Sequence, residues 1–128
     1  MVGAHVIQGR IDAIFRDGDR LEIVDWKSGR APQGLGDERW QLECYALAVQ
    51  EMWGVAPEDL TATFVYLGDD KPEERAVPVR PAAEIREDLQ RTLDAIAARA
   101  FEPSAGEWCH RCDFLVHCEA GRAVPPSP

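Results

Sequence analysis

The chain has 128 residues, of which 45% are hydrophobic and 29% charged, and this size supports one modest core and excludes two full domains. No apolar run approaches the length of about 18 residues that a membrane span needs, and residues 1–10 lack the basic start and apolar stretch of a secretory signal. We therefore expect a soluble cytoplasmic protein. With a net charge of −9, the chain is acidic, whereas nucleic-acid-binding proteins are typically basic.

The chain begins with a predicted β-hairpin. Residues 5–15 are rich in β-branched side chains, and the polar run 16–19 is typical of a turn. Residues 21–26 form the returning strand. A loop rich in Gly and Pro follows at 28–36, because no regular element tolerates that composition.

A helix is predicted after this loop. Asp37 can cap its start, the helix runs to about Trp53, and Gly54 stands just past its end. Its candidates for burial include Trp40, Leu47 and Met52.

The second half predicts another hairpin and another helix. Strands are expected at 61–67 and 75–79, and the spacing of apolar residues over 81–100 is that of a long amphipathic helix. Its apolar positions are Ile85, Leu89, Leu93 and Ile96. The expected fold class is therefore α/β, with a mixed central β-sheet built from two hairpins and flanked by helices.

Two carboxylates and a lysine stand out in the first hairpin. Asp25 and Lys27 share one face of their strand because side chains alternate between faces. A two-residue loop would place Asp12 diagonal to Asp25, and a four-residue loop, which pairs Arg16 with Leu21, would place the carboxylates directly opposite. Either arrangement separates their Cβ atoms by roughly 5–8 Å.

Facing carboxylates repel each other unless a cation or a proton lies between them. Mg²⁺ favours one or two carboxylates, several waters and a substrate phosphate, so a divalent ion explains the pair. Such an ion lowers the pKa of its bound water, and Lys27 could orient that water or stabilise developing charge. The alternative is a surface ion-pair set on a solvated sheet face, worth at most about 1 kcal/mol per pair.

Three segments resemble, in order and spacing, the RecB-like branch of the PD-(D/E)xK nuclease superfamily. They read Gly-Arg-Ile-Asp at 9–12, Val-Asp-Trp-Lys-Ser-Gly at 24–29 and Gln-Leu-Glu-Cys-Tyr at 41–45. The resemblance implies a restriction-endonuclease-like core and metal-dependent cleavage of DNA.

The same resemblance implies the roles of individual residues. Asp12, Asp25 and the backbone carbonyl of Trp26 would bind Mg²⁺ or Mn²⁺, and Lys27 would be the catalytic lysine. 

Gln41 and Tyr45 complete the predicted catalytic residues. They are four residues apart and so lie on one face of the helix. The resemblance implies that this face is directed at the active site and DNA, whereas without the upstream motifs an ordinary helix surface with a half-buried tyrosine would be expected.

Three cysteines near the end of the chain have the spacing C-x2-C-x5-C. Cys109, Cys112 and Cys118 resemble the end of the iron–sulfur form of this domain, found in AddB-type proteins, CRISPR-associated exonucleases and nucleases fused to UvrD/Rep helicases. A [4Fe–4S] cluster takes four thiolates. Cys44 is the one remaining cysteine, and a small buried hydrophobic residue explains it better than a fourth ligand does.

Two other interpretations of the cysteine segment stay open. Zinc could be held by the three cysteines together with His110 or His117, because mixed Cys and His ligands suit tetrahedral zinc. The cysteines could also be reduced thiols without a metal.

The predicted organisation is a nuclease core at 1–102, a cysteine-rich iron–sulfur-type segment at 103–120 and a tail at 121–128. The family's upstream helices, with a further metal ligand and the first cluster cysteine, find no match, so we expect a domain truncated at its amino terminus. The expected function is DNA cleavage in the carboxy-terminal part of a UvrD/Rep-type ATP-dependent helicase-nuclease of DNA repair or recombination. Its partners would be DNA and helicase domains. The alternative is a noncatalytic iron–sulfur or zinc module.

Overall fold

The structure is a computed structural model that describes residues 1–33, 38–68 and 70–125. The chain divides into two compact units, Met1–Leu93 and Asp94–Pro128. Within the described ranges, no helix combines the length and apolar composition needed to cross a bilayer.

The first unit contains a four-stranded mixed sheet in the order β1-β2-β3-β4. Strands β1 (Ala13–Asp17) and β2 (Arg20–Lys27) form an antiparallel hairpin, and β3 (Leu60–Tyr66) and β4 (Glu73–Val77) form another. Helix α1 (Arg39–Trp53) connects β2 to β3, which are parallel, as a crossover connection requires. The predicted fold class is confirmed.

The register of the first hairpin is the second of the two alternatives. Arg16 pairs with Leu21, although the loop has only two residues, because pairing begins one position nearer the turn. Gly18 opens this loop with a φ of 60°, a conformation that glycine adopts without steric cost.

The first strand is shorter than predicted, since residues 6–12 are not part of the sheet. The prediction of a strand over 5–15 is wrong for this segment. Its chain leaves β2 and contacts α1 instead, where the Tyr45 hydroxyl donates to the Arg10 carbonyl at 2.7 Å. The propensity of β-branched residues is overridden here by tertiary contacts.

The core lies between one face of the sheet and α1. Alternate residues of β2 and β3 share that face, and Phe64 and Ile23 are completely buried on it. From α1 the core takes Leu42, Tyr45, Ala46, Leu47 and Val49. The predicted burial of Leu47 is therefore confirmed, Trp40 is partly buried, and Met52 is exposed.

Helix α1 ends as predicted. Gly54 has a φ of 65° and its N–H donates to the Gln50 carbonyl at 2.9 Å, which satisfies one of the last free carbonyls of the helix. Glu38 occupies the position before the helix. The predicted cap Asp37 lies outside the described residues, as do 34–36 of the preceding loop and the last residues of the predicted tail.

Helix α2 (Ala82–Ala97) begins against α1 through a buried glutamine. Gln50 accepts from the Ala82 N–H and donates to the Arg80 carbonyl, both at 3.1 Å. Because the first N–H groups of a helix lack partners inside it, Gln50 takes the place of a cap. Along α2, Ile85 and Leu89 are buried, whereas Ile96 is exposed; the apolar face predicted over 81–100 is therefore buried only in its first half.

An ion-pair network joins the same two helices through Arg80, which lies just before α2. Glu43 of α1 is 4% exposed and accepts from Arg80 Nε at 3.1 Å. Arg80 also donates to Asp88 at 2.8 Å. The hydrogen bond to Asp88 and then that to Glu43 raise the pKa of Arg80.

Candidate active site

The structure brings Asp12 and Asp25 together at one end of the first hairpin. Asp25 is 2% exposed, on the core face of β2, and Asp12 comes directly before Ala13, which pairs with Val24. Asp12 itself is exposed and lies just before β1. Its Oδ2 accepts from the backbone N–H of Trp26 at 3.1 Å. 

Lys27, Gln41 and Asp25 form a closed set of polar contacts. Lys27 Nζ donates to Gln41 Oε1 at 2.7 Å, and Gln41 Nε2 donates to Asp25 Oδ1 at 2.8 Å. Lys27 Nζ also lies 2.8 Å from Asp25 Oδ2 as an ion pair, but in a direction unsuited to a hydrogen bond. That buried oxygen accepts none from the described residues.

The lysine remains reachable although its partners are buried. Its side chain is 27% exposed, and its Nζ lies 5.1 Å from the centre of the Phe64 ring, within the range of a cation–π contact. The ammonium group is therefore held over the core at the edge of the solvent.

Gln41 and Tyr45 lie on one face of α1, as their spacing predicts. Gln41 contacts the polar group of Asp25 and Lys27 directly, whereas Tyr45 is 9% exposed and forms part of the core. The Tyr45 hydroxyl accepts from Gln41 Nε2 at 3.0 Å and donates to the Arg10 carbonyl. The tyrosine therefore reaches the site through its neighbours.

A second tyrosine and a glutamate beside the site were missed by sequence reasoning. Tyr66 is paired with Lys27 in the parallel register of β2 and β3, and its hydroxyl donates to Glu38 at 2.8 Å. A parallel register between strands separated by a helix leaves no local pattern in the sequence, so only the alternation of Phe64 and Tyr66 could have indicated the shared face.

We expect the ionisation of Tyr66 to destabilise the fold at alkaline pH. Burial and then the hydrogen bond to Glu38 raise the pKa of Tyr66 from 10.0 to about 12. Folding therefore favours the protonated phenol, and this stabilisation is complete below pH 10 and lost as the pH rises to about 12. We expect Tyr66→Phe to remove this part of the pH dependence, measured by urea unfolding between pH 9 and 12. If the free energy of unfolding falls equally steeply with pH in both proteins, Tyr66 is not the source of the loss.

The loops that follow β2 and β3 lie in close contact beside Lys27. The Leu67 N–H donates to the Lys27 carbonyl at 2.8 Å, and the Gly68 N–H donates to the Gly29 carbonyl at 3.0 Å. A Cβ added at Gly68 would lie 2.7 Å from the carbonyl oxygen of Gly29. Only glycine fits this approach without moving the backbone.

Two glycine substitutions test this contact. Gly68→Ala is expected to lower the free energy of unfolding by about 2 kcal/mol, because the clash is with backbone and forces the loops apart. Gly29→Ala is the matched control, since no atom lies within 4 Å of a Cβ there; we expect a change within about 0.5 kcal/mol. Chemical denaturation measures both, and equal effects would show that the contact does not constrain the loops.

The second unit carries the cysteine segment. Cys109 is buried, Cys112 is exposed and Cys118 is partly buried. Two of the sulfurs accept backbone N–H groups at 3.4 Å, Cys109 from Gly106 and Cys118 from Gly121.

The described residues do not fit a [4Fe–4S] cluster. They include no group of three or more His, Cys, Asp or Glu side chains placed to hold one metal ion, and the segment supplies three of the four thiolates needed. Cys44 lies in α1 of the first unit, where burial and then Glu43 raise the pKa of its thiol. A raised pKa disfavours the thiolate form that ligates metals.

A divalent ion fits the hairpin site better. Its two carboxylates and a backbone carbonyl, completed by water, are the oxygen ligands that Mg²⁺ takes, and this set does not need the three His, Cys, Asp or Glu side chains that the described residues nowhere bring together.

Comparison with known proteins agrees with this fold. The solved structure of SSO0001 aligns with 24% sequence identity and a TM-score of 0.51, covering 88% of this chain and 50% of that protein. That likeness concerns the fold alone, and the chain spans half the length of SSO0001. No curated protein matches the chain. A family model described as the PD-(D/E)XK nuclease superfamily matches residues 2–119. With nearly its whole length matched, the chain belongs to the PD-(D/E)XK nuclease superfamily.

Proposed function

We propose that this domain is a divalent-metal-dependent deoxyribonuclease that hydrolyses phosphodiester bonds at the site around Asp25. One observation carries the proposal: the carboxylate of Asp25, which is 2% exposed, lies 2.8 Å from the partly exposed ammonium group of Lys27. A second carboxylate, that of Asp12, accepts from the N–H of Trp26, the residue between them.

Asp12, Asp25 and the carbonyl of Trp26 would hold Mg²⁺ or Mn²⁺. When bound, the ion supplies Lewis acidity, activating water and offsetting negative charge on a phosphate oxygen. Lys27 orients the attacking water or stabilises the negative charge that develops on the phosphate. Gln41 holds Lys27 and Asp25 in fixed positions through one amide, so little reorganisation is needed when substrate arrives.

Incubation of the full-length protein with linear single-stranded and duplex DNA tests the activity. We expect cleavage in Mg²⁺ or Mn²⁺ and none in a chelator. Titration calorimetry with Mn²⁺ then separates catalysis from a noncatalytic module: binding that Asp12→Asn weakens supports the nuclease, whereas no binding, or binding unchanged by Asp12→Asn, overturns it.

We propose further that the domain is of the RecB type and acts on strands delivered by a linked ATP-dependent helicase in DNA repair or recombination. The three motifs support the type. The net charge of −9 opposes DNA binding, because phosphate attraction dominates nonspecific affinity for DNA, and a linked helicase would supply the remaining affinity. A parent gene without ATPase motifs would remove the helicase part.

The second candidate function is a metal-binding module in the cysteine segment. The backbone N–H groups that donate to Cys109 and Cys118 hold two of the three sulfurs in place within the segment and support this candidate. Metal analysis after anaerobic purification distinguishes the forms. Iron with sulfide supports an iron–sulfur protein, and zinc supports a zinc module. If neither iron nor zinc is found, both forms of this candidate function are excluded.

A further inference from the structure

The segment that carries Asp12 is held by two hydrogen bonds and by the packing of Ile11 against the core. Residues 6–12 lie outside the sheet, and two hydrogen bonds connect them to the described part of the chain. Tyr45 donates to the Arg10 carbonyl at 2.7 Å, and Trp26 donates to the Asp12 carboxylate at 3.1 Å. The donor of the first hydrogen bond, Tyr45, belongs to the core.

Close packing adds to the hydrogen bond. Gly9 passes directly over the tyrosine ring, and a Cβ at Gly9 would lie 2.9 Å from Tyr45 Cε1. The segment can therefore approach α1 only because position 9 has no side chain. The ring and the hydroxyl of Tyr45 together fix the chain two and three residues before Asp12.

The same hydroxyl is connected to the other half of the site. It accepts from Gln41 Nε2 at 3.0 Å, and this amide also donates to Asp25 at 2.8 Å. One oxygen atom thus links the backbone that carries Asp12 to the side chain that holds Asp25.

We propose that Tyr45 is a positioning residue that sets the location of Asp12 relative to Asp25 through the Arg10 carbonyl. Its hydroxyl is used in two internal hydrogen bonds, and through them it supports the two residues that would hold the metal. This inference rests on the proposed function, because Asp12 is there a residue that holds the metal.

Two variants change the contact between Tyr45 and the segment that carries Asp12, each through a different group. Tyr45→Phe removes the hydroxyl and keeps the ring, and Gly9→Ala keeps the hydroxyl and pushes the segment off the ring. Thr63→Val is the matched control, since it removes another buried hydroxyl, bonded to Glu22 at 3.3 Å, that has no contact with the segment.

The first measurement is amide hydrogen exchange by NMR on the metal-free chain. The Trp26 amide N–H donates to the Asp12 carboxylate, and the Val24 amide, in the paired part of the hairpin, serves as the reference. If the link holds Asp12, Tyr45→Phe and Gly9→Ala will raise the ratio of the Trp26 exchange rate to the Val24 exchange rate. Thr63→Val will leave the ratio of the two rates unchanged. An unchanged ratio in both test variants overturns the proposal, and Gly9→Ala keeps this test available if Tyr45→Phe fails to fold.

The second measurement is the affinity for Mn²⁺ alone by titration calorimetry. We expect both test variants to weaken it by about tenfold, the usual effect of losing a support for a metal ligand, with cooperative unfolding retained. Wild-type affinity in both variants overturns the positioning role. If the unmodified chain binds no Mn²⁺, the proposed function fails, and the exchange ratio alone decides whether Tyr45 positions Asp12.

Discussion

Asp25→Asn is expected to lower the rate of DNA cleavage by about 10³-fold, the size of effect seen when one group that stabilises transition-state charge is removed. The asparagine has the same shape and keeps an oxygen to accept from Gln41, so the fold is retained. It removes the negative charge on which the divalent ion depends. Cleavage assays under single-turnover conditions, with circular dichroism as the check on folding, measure the change.

A control variant and a second site variant show whether the loss of cleavage is specific to this site. Asp17→Asn is the control, because Asp17 is an exposed carboxylate at the turn end of the same hairpin and its loss should leave the rate unchanged. Lys27→Met should lower the rate of cleavage by a similar factor of about 10³, while keeping the aliphatic part of the lysine over Phe64. Retained activity in either site variant would remove this site as the location of the chemistry.

Arg80→Met is expected to lower the free energy of unfolding by about 3 kcal/mol, at the low end for a broken buried pair because the arginine is 30% exposed. The cost arises from Glu43, which is 4% exposed and would lose its cation. Urea denaturation followed by circular dichroism gives the difference directly.

The charge explanation has its own controls. Adding Glu43→Met to Arg80→Met should recover most of the lost stability, since replacing both members of a buried pair by apolar residues is often neutral. Arg91→Met removes an arginine that is 69% exposed and paired with Asp88, and we expect less than about 1 kcal/mol. If Arg80→Met costs no more than Arg91→Met, the buried pair is not a stabilising feature.

Local sequence signals predicted the elements that depend on local interactions. The helix ending at Gly54 and the two hairpins follow from turn residues and periodicity, and the shared face of Asp25 and Lys27 follows from strand geometry alone. The predicted site residues Asp12, Asp25, Lys27, Gln41 and Tyr45 lie close together in the structure; their roles remain predictions.

What the sequence could not provide depends on contacts between distant segments. The strand expected at 5–15 stops short because Tyr45, some 35 positions away, binds the Arg10 carbonyl. The pair of Tyr66 and Glu38 likewise depends on the parallel register across α1. Neither hairpin length nor side-chain alternation contains this information.

Helix α1 gives the site and the core a common support. Leu42 and Ala46 pack in the interior while their neighbours Gln41 and Tyr45 contact the polar residues. Successive residues differ by about 100° around a helix, so a small rotation that accommodated a larger core side chain would turn both polar groups away from their partners. A substitution in the core beneath α1 is therefore expected to change the positions of Gln41 and Tyr45 as well as the packing.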